Sequence, residues 1–150
     1  MGLTGFEILN DIIDTNRRNY IEYKSNLSDL PGISIIDYND SEKNNYHYIV
    51  VEVDENLFGL SRDELLLVLN YEKVMARRYF YPGCHRCEPY RSSSANKNLY
   101  LPVTEMLSNK VLSLPNGTAV NRNDVKIICS LIKLISENSL RIKKVLAEKI

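Results

Sequence analysis

Val74-Met75-Ala76-Arg77-Arg78-Tyr79-Phe80-Tyr81, followed by Pro82-Gly83-Cys84-His85-Arg86-Cys87-Glu88-Pro89-Tyr90, joins a strand to a turn. Residues 74–81 are apolar or aromatic apart from two arginines. The strand must stop at Pro82-Gly83, because proline donates no ladder hydrogen bond and glycine turns freely. Strand alternation sets Ala76, Arg78 and Phe80 against Arg77, Tyr79 and Tyr81. Two arginines on such a strand need acceptors. Arginines, a histidine and several phenols gathered at a strand end suit phosphate and sugar hydroxyls, through charge-assisted and neutral hydrogen bonds. Strand ends are also where binding loops sit. The same residues equally describe a packed turn with exposed arginines, and the residue pattern does not choose between the two.

Upstream, Ser61-Arg62-Asp63-Glu64 has the form of a capping box and predicts a helix from Arg62 to about Tyr71. Before it, Ile33–Tyr38 and Tyr46–Val53 are rich in β-branched and aromatic residues. The polar run 39–45 separates them, which predicts two strands and a loop. Phe6, Leu9, Ile13, Asn16, Tyr20, Tyr23, Leu27 and Leu30 recur at steps of three and four, one stripe of a helix from about residue 4 to about residue 29. Such a helix would be about 40 Å long at 1.5 Å per residue, more than a core of this size covers. Part of the stripe should therefore meet something outside this chain. Pro31-Gly32 should end the helix.

Downstream, the polar stretch Arg91–Asn98 reads as a mobile loop, and Pro102 opens a short helix to about Asn109. Val111–Leu114 reads as the last strand. From Asn123, the residues Val125, Ile128, Leu131, Ile132 and Ile135 make the apolar face of a C-terminal helix. This order has too few crossovers for a doubly wound sheet. It predicts an α+β domain with a mainly antiparallel sheet and helices packed on one side.

The 150 residues suffice for one domain over 1–150, and 19 basic residues balance 19 acidic ones. Without a global field, nucleic acid is not the expected partner. No apolar run reaches the roughly 18 residues of a membrane span, and the N-terminus has no signal-peptide pattern, so a cytoplasmic location is expected. Three cysteines, at 84, 87 and 129, are too few and odd in number for a disulfide scaffold, and reduced thiols are expected. Cys84, His85 and Cys87 offer three metal ligands. A structural zinc site wants a fourth, and Cys129 lies on an apolar helical face, so no metal site is expected. His47 reads as a structural histidine, and Tyr20, Tyr23, Tyr46 and Tyr48 fall at packing positions. There is no internal repeat and no glycine-rich phosphate loop.

Four ordered blocks resemble the C-terminal part of the DegT/DnrJ/StrS-type nucleotide-sugar aminotransferases. They are Asn16-Arg17-Arg18-Asn19-Tyr20; Asn45-Tyr46-His47-Tyr48-Ile49-Val50-Val51; Ala76–Tyr90; and Leu101-Pro102-Val103-Thr104-Glu105 with Val111-Leu112-Ser113-Leu114-Pro115-Asn116-Gly117. The resemblance implies the small C-terminal domain of the fold-type I aminotransferase fold, with residues 1–30 as the linking helix. It also implies a parent enzyme that works as a dimer and moves an amino group from glutamate to a nucleotide-linked keto-deoxysugar. Members bind pyridoxal phosphate in a large N-terminal domain that this chain lacks. None of the ten lysines matches the cofactor lysine, and no cofactor is expected on this chain alone. The implied partners are that large domain, supplied separately, and a second copy of the chain. A stand-alone interaction module or remnant without turnover is the alternative. Met1-Gly2-Leu3 resembles the interior methionine run before the linking helix, as in a truncated frame or a split gene.

By resemblance, Tyr81 and His85 match the positions beside bound substrate, with Arg78 and Tyr79 as further candidates. Their implied task is to hold sugar and diphosphate. Cys87 stands where the family pattern carries methionine. The arginine-rich turn is nearest to members acting at sugar C4, and C3 stays open.

Overall fold

The computed structural model describes residues 2–93 and 99–148, so the Ser94–Asn98 part of the expected mobile loop lies outside the described residues. The expected first helix is two: α1 (Gly2–Glu7) and α2 (Leu9–Leu27), separated where Ile8 leaves helical geometry at φ −102° and ψ 2°. Asn16, Tyr20, Tyr23 and Leu27 of the stripe are buried, while Phe6 is 71% and Leu9 42% exposed. The N-terminal third of the stripe thus has no partner within the described residues. After α2 the chain reverses through Gly32 at φ +78°. A Cβ there would lie 2.4 Å from the Phe58 amide nitrogen, so the close approach of α3 (Glu55–Phe58) admits only glycine. The short α3, capped by Asp54, was not expected from the sequence.

Four strands, β1 (Ile33–Ile35), β2 (Ile49–Val53), β3 (Arg77–Arg78) and β4 (Val111–Leu114), form one antiparallel sheet in the order β1-β2-β4-β3. Ile33 opposes Val53, Val51 opposes Leu112, and Ile49 opposes Leu114. Directly opposed residues share a face, and all six are buried there, at 5% exposure or less. In one core with them are Val125, Ile128, Cys129, Ile132 and Ile135 of α6 (Arg122–Glu137), which packs along α2.

The strands are shorter than the sequence predicts. Between Tyr38 and Tyr48 a phenol replaces the ladder: the Tyr38 hydroxyl donates to the Tyr48 carbonyl at 2.9 Å and accepts from its amide at 3.2 Å. Tyr46 takes a left-handed φ of 50°, which folds its ring against Tyr20 and Tyr38. Three of the four tyrosines expected to pack are buried; Tyr48 is 43% exposed.

The capping box forms as read. Ser61 accepts from the Glu64 amide, Glu64 accepts from the Ser61 amide at 2.7 Å, and α4 (Arg62–Tyr71) follows. Next come α5 (Pro102–Lys110) and β4, then α6, then α7 (Ser139–Ala147), which a non-helical Asn138 separates from α6. A buried asparagine pins α2 to the sheet ends. Asn19, fully buried, donates to Asn116 Oδ1 at 3.1 Å and the Val120 carbonyl at 3.0 Å, and Asn116 donates to the Tyr46 carbonyl at 2.7 Å. No helix among the described residues is long and apolar enough to cross a membrane.

Candidate functional site

The strand-to-turn passage occupies the edge of the sheet. Of the expected strand 74–81 only Arg77 and Arg78 pair with β4, opposite Ser113 and Leu112. Arg78 therefore shares the face of Leu112 at an open edge. There the first turn of α4 supplies its acceptor: Arg78 Nε donates to Asp63 Oδ1 at 2.9 Å. The same carboxylate oxygen lies 2.8 Å from Arg62 Nε. Arg62 itself is 2% exposed and donates through Nη1 to the Val111 carbonyl at 3.0 Å, while among the described residues its Nη2 has no hydrogen-bond partner and its Nε, though close to Asp63, makes no well-aligned hydrogen bond. Burial pulls the Arg62 guanidinium below its ordinary pKa, against the opposing pull of Asp63.

The expected alternation fails at Phe80. Its φ of +45° is left-handed, a conformation rare for a bulky side chain, and it shifts the facing by one residue. Tyr81 therefore joins Arg78 rather than Tyr79. Its ring lies under two guanidiniums, with Arg78 Cζ 4.8 Å and Arg62 Cζ 5.1 Å from the centroid, and the residue stays 42% exposed. Tyr79 turns the other way, edge-on to Tyr48 at 5.3 Å and to Phe80 at 4.8 Å.

His85 sits in a single 3₁₀ turn, Cys84–Arg86, that Gly83 introduces at φ +101°. A Cβ on Gly83 would come within 2.8 Å of the His85 ring, so glycine is needed for the ring to fold back. Folded back, the side chain is 6% exposed, and Nε2 lies 3.3 Å from Glu105 Oε1 in the first turn of α5. Arg86 Nη2 reaches the same oxygen at 2.7 Å. The Arg86 bond, helped by His85, holds the Glu105 carboxyl below the ordinary carboxylate pKa against partial burial. His85 and Tyr79 border one hollow of about 340 Å³, lined also by Phe80, Leu101, Thr104 and Leu107.

The four sequence candidates thus form two pairs. Arg78 and Tyr81 gather with Arg62 and Asp63, and Tyr79 and His85 line the hollow beside α5. Arg62, Asp63 and Glu105 were missed as site residues. The first two read as the ordinary start of a capped helix, and Glu105 as the end of a helix-opening block. Among the described residues, no group of three or more His, Cys, Asp or Glu side chains is placed to hold a metal ion.

This mixed helix and antiparallel sheet fold recurs as one part of larger enzymes. It is the fold of the corresponding part of sugar aminotransferases. DesI, solved in the presence of its TDP-sugar product, superposes with a TM-score of 0.85 at 39% identity over 100% of this chain and 37% of its own. Helicobacter pylori PseC, an aminotransferase involved in the biosynthesis of pseudoaminic acid, shares the fold at a TM-score of 0.78 and 16% identity, over 91% of this chain and 36% of its own. The dTDP-4-amino-4,6-dideoxy-D-glucose transaminase of Escherichia coli is 31% identical over 113 residues, 75% of this chain and 29% of the relative. The DegT/DnrJ/EryC1/StrS aminotransferase family model matches residues 1–133, and the chain belongs to that family. It spans roughly a third of the length of the relatives it matches.

The family is pyridoxal-phosphate dependent, and such chemistry needs a lysine, a carboxylate on the pyridine nitrogen and a phosphate cradle. The residues here do not fit that group. No lysine among the described residues is buried. The buried polar side chains are Asn16, Asn19, Glu22, Arg62 and Ser108, each committed to at least one contact within the fold.

Proposed function

We propose that this chain is the small domain of an aminotransferase that moves an amino group from glutamate to a nucleotide-linked keto-deoxysugar. The cofactor and its lysine come from a large domain supplied by another chain or by a longer form of this one. The supporting observation is the match of the whole chain, at 39% identity, to 37% of an aminotransferase solved with its TDP-sugar product.

In this reading the edge turn is the wall that faces the sugar nucleotide. Tyr81 offers a hydroxyl while guanidiniums occupy its ring. Arg78, half-exposed and paired among the described residues with Asp63 alone, offers a charged donor for a phosphate oxygen. His85 and Tyr79 border the hollow that would take the sugar. Effective orientation is what such contacts contribute to a transfer reaction. Two copies in the complete enzyme would cover the apolar N-terminal stripe.

Purified chain mixed with pyridoxal phosphate, glutamate and a TDP-linked 4-keto-6-deoxysugar is expected to show no internal aldimine absorbance and no turnover. Adding a family large domain that carries the lysine, in trans or by fusion, is expected to restore both. A borohydride-stable pyridoxyl adduct on one specific lysine of the isolated chain would overturn the reading. Failure of every fused large domain to turn over would favour the non-catalytic module.

A further inference from the structure

The passage that carries His85 also carries Cys84-His85-Arg86-Cys87, two thiols separated by two residues; Cys84 lines the hollow beside His85, and the proposed sugar contacts give neither thiol a role. Three observations bear on them. Both thiols are exposed, whereas Cys129 is 1% exposed in the α2–α6 seam, where burial pushes its thiol pKa up to about 12. Only the pair at 84 and 87 is therefore available to a reagent in solution. The backbone between them is closed: the Cys87 amide donates to the Cys84 carbonyl at 3.1 Å around the 3₁₀ turn. A four-residue turn closed in this way keeps its end Cα atoms within about 7 Å, which overlaps the range a disulfide spans. The Cys87 thiol bends back over the turn, 3.5 Å from the Gly83 carbonyl.

We propose that Cys84 and Cys87 are a redox-active dithiol that closes to an intrachain disulfide across the turn holding His85, with a small-molecule disulfide such as oxidised glutathione as the oxidant. In the first step the thiolate of one cysteine attacks a glutathione sulfur. A mixed disulfide forms, the glutathione S–S bond breaks, and one glutathione thiolate leaves. In the second step the other cysteine's thiolate attacks the protein sulfur of that mixed disulfide. The Cys84–Cys87 bond forms and the second glutathione thiolate leaves. Two electrons pass from the protein to glutathione, and the two thiol protons end on the two departing thiolates. The short turn lets the second step outrun escape, since the resolving thiol is only three positions along the chain from the first. This chemistry does not depend on the turn binding a sugar nucleotide.

The test uses the folded chain, equilibrated without oxygen across ratios of reduced to oxidised glutathione, quenched in acid, then alkylated under denaturing conditions for mass spectrometry. The expected product carries one alkyl group, on Cys129, has Cys84 and Cys87 protected, is about 2 Da lighter than the chain plus that one group, and reverts with dithiothreitol. Cys84→Ser and Cys87→Ser, both at exposed positions, are each expected to lose that product and to accumulate one glutathione adduct instead. Wild type that stays reduced at every ratio, carries only glutathione adducts, or links only chain to chain would overturn the proposal. So would a disulfide that forms only after urea has unfolded the chain.

Discussion

Glu22 is 6% exposed, yet it is charged: Arg122 Nε donates to Oε2, Asn26 donates to Oε1 at 3.2 Å, and Lys126 stands 3.9 Å off. The Arg122 bond, ahead of the opposing effect of burial, holds its carboxyl below the ordinary value of 4.5. The folded state thus binds this proton more weakly than the unfolded chain does. The resulting stability is complete above the unfolded pKa and is lost as pH falls through the lower folded one. Urea midpoints should therefore drop on acidification below about pH 4.5 in wild type, and Glu22→Gln should lower the neutral midpoint while flattening that acid arm. Equal acid slopes in the two proteins would show that Glu22 is not the linked group. The Arg122 contact joins residues a hundred positions apart, and no local pattern announces it. At the edge turn, by contrast, Arg78 and Tyr81 were legible as a chemical cluster. Their buried companion Arg62 was not, because the capping box accounts for Ser61 and Glu64 and leaves the residue between them looking like surface. The left-handed Phe80, with no glycine or asparagine to mark it, hid the side on which Tyr81 falls.

Helices were read more accurately than strands, for a physical reason. Capping is local: Ser61 with Glu64 shows where α4 starts, and Pro102 marks the first residue of α5. A strand's length depends on partners elsewhere, and here the Tyr38 hydroxyl displaces ladder bonds that β-propensity implied. The long first helix was right in its stripe and wrong in its continuity. Its buried part, from Asn16 to Leu27, meets α6 and the sheet, whereas Phe6, Ile8 and Leu9 stay exposed. Clustered exposed apolar side chains mark a contact surface. Sedimentation of the purified chain is expected to show concentration-dependent association. Phe6→Ser with Leu9→Ser should shift it to monomer while changing the urea midpoint little, because neither side chain is buried in the monomer. A monomeric wild type at high concentration would remove this surface as an association face, and a large stability loss in the double variant would mean that the stripe packs within the chain.

At the scale of the whole molecule, the fold class and the family were both legible, since four ordered blocks covered nearly the full chain and the family model matches residues 1–133. What the blocks could not specify is which side chains of the turn face outward, and this sharpens the test of the proposed site once a large domain is supplied. In the proposed reaction glutamate would donate its amino group before the keto-sugar enters, so a wall that touches only the sugar nucleotide should leave that half-reaction alone. Tyr81→Phe keeps the ring between the Arg62 and Arg78 guanidiniums and removes only the hydroxyl. It is expected to lower kcat/KM for the keto-sugar about 5- to 150-fold, or roughly 1–3 kcal/mol for one lost hydrogen bond in a closed site, with the glutamate half-reaction nearly unchanged. His85→Ala is expected to follow the same split, but it also frees Glu105 and opens the packing over Gly83, so its thermal stability must be read alongside its kinetics. Glu105→Gln supplies the control: it weakens the anchor of His85 and Arg86 without touching the hollow's ring edges, and a positioning role predicts a rise in KM for the sugar with kcat little altered. Should Tyr81→Phe slow both half-reactions equally, the turn acts on the fold or the cofactor domain. Should it slow neither, the two arginines over Tyr81 are a structural clamp, and the sugar-binding wall lies elsewhere.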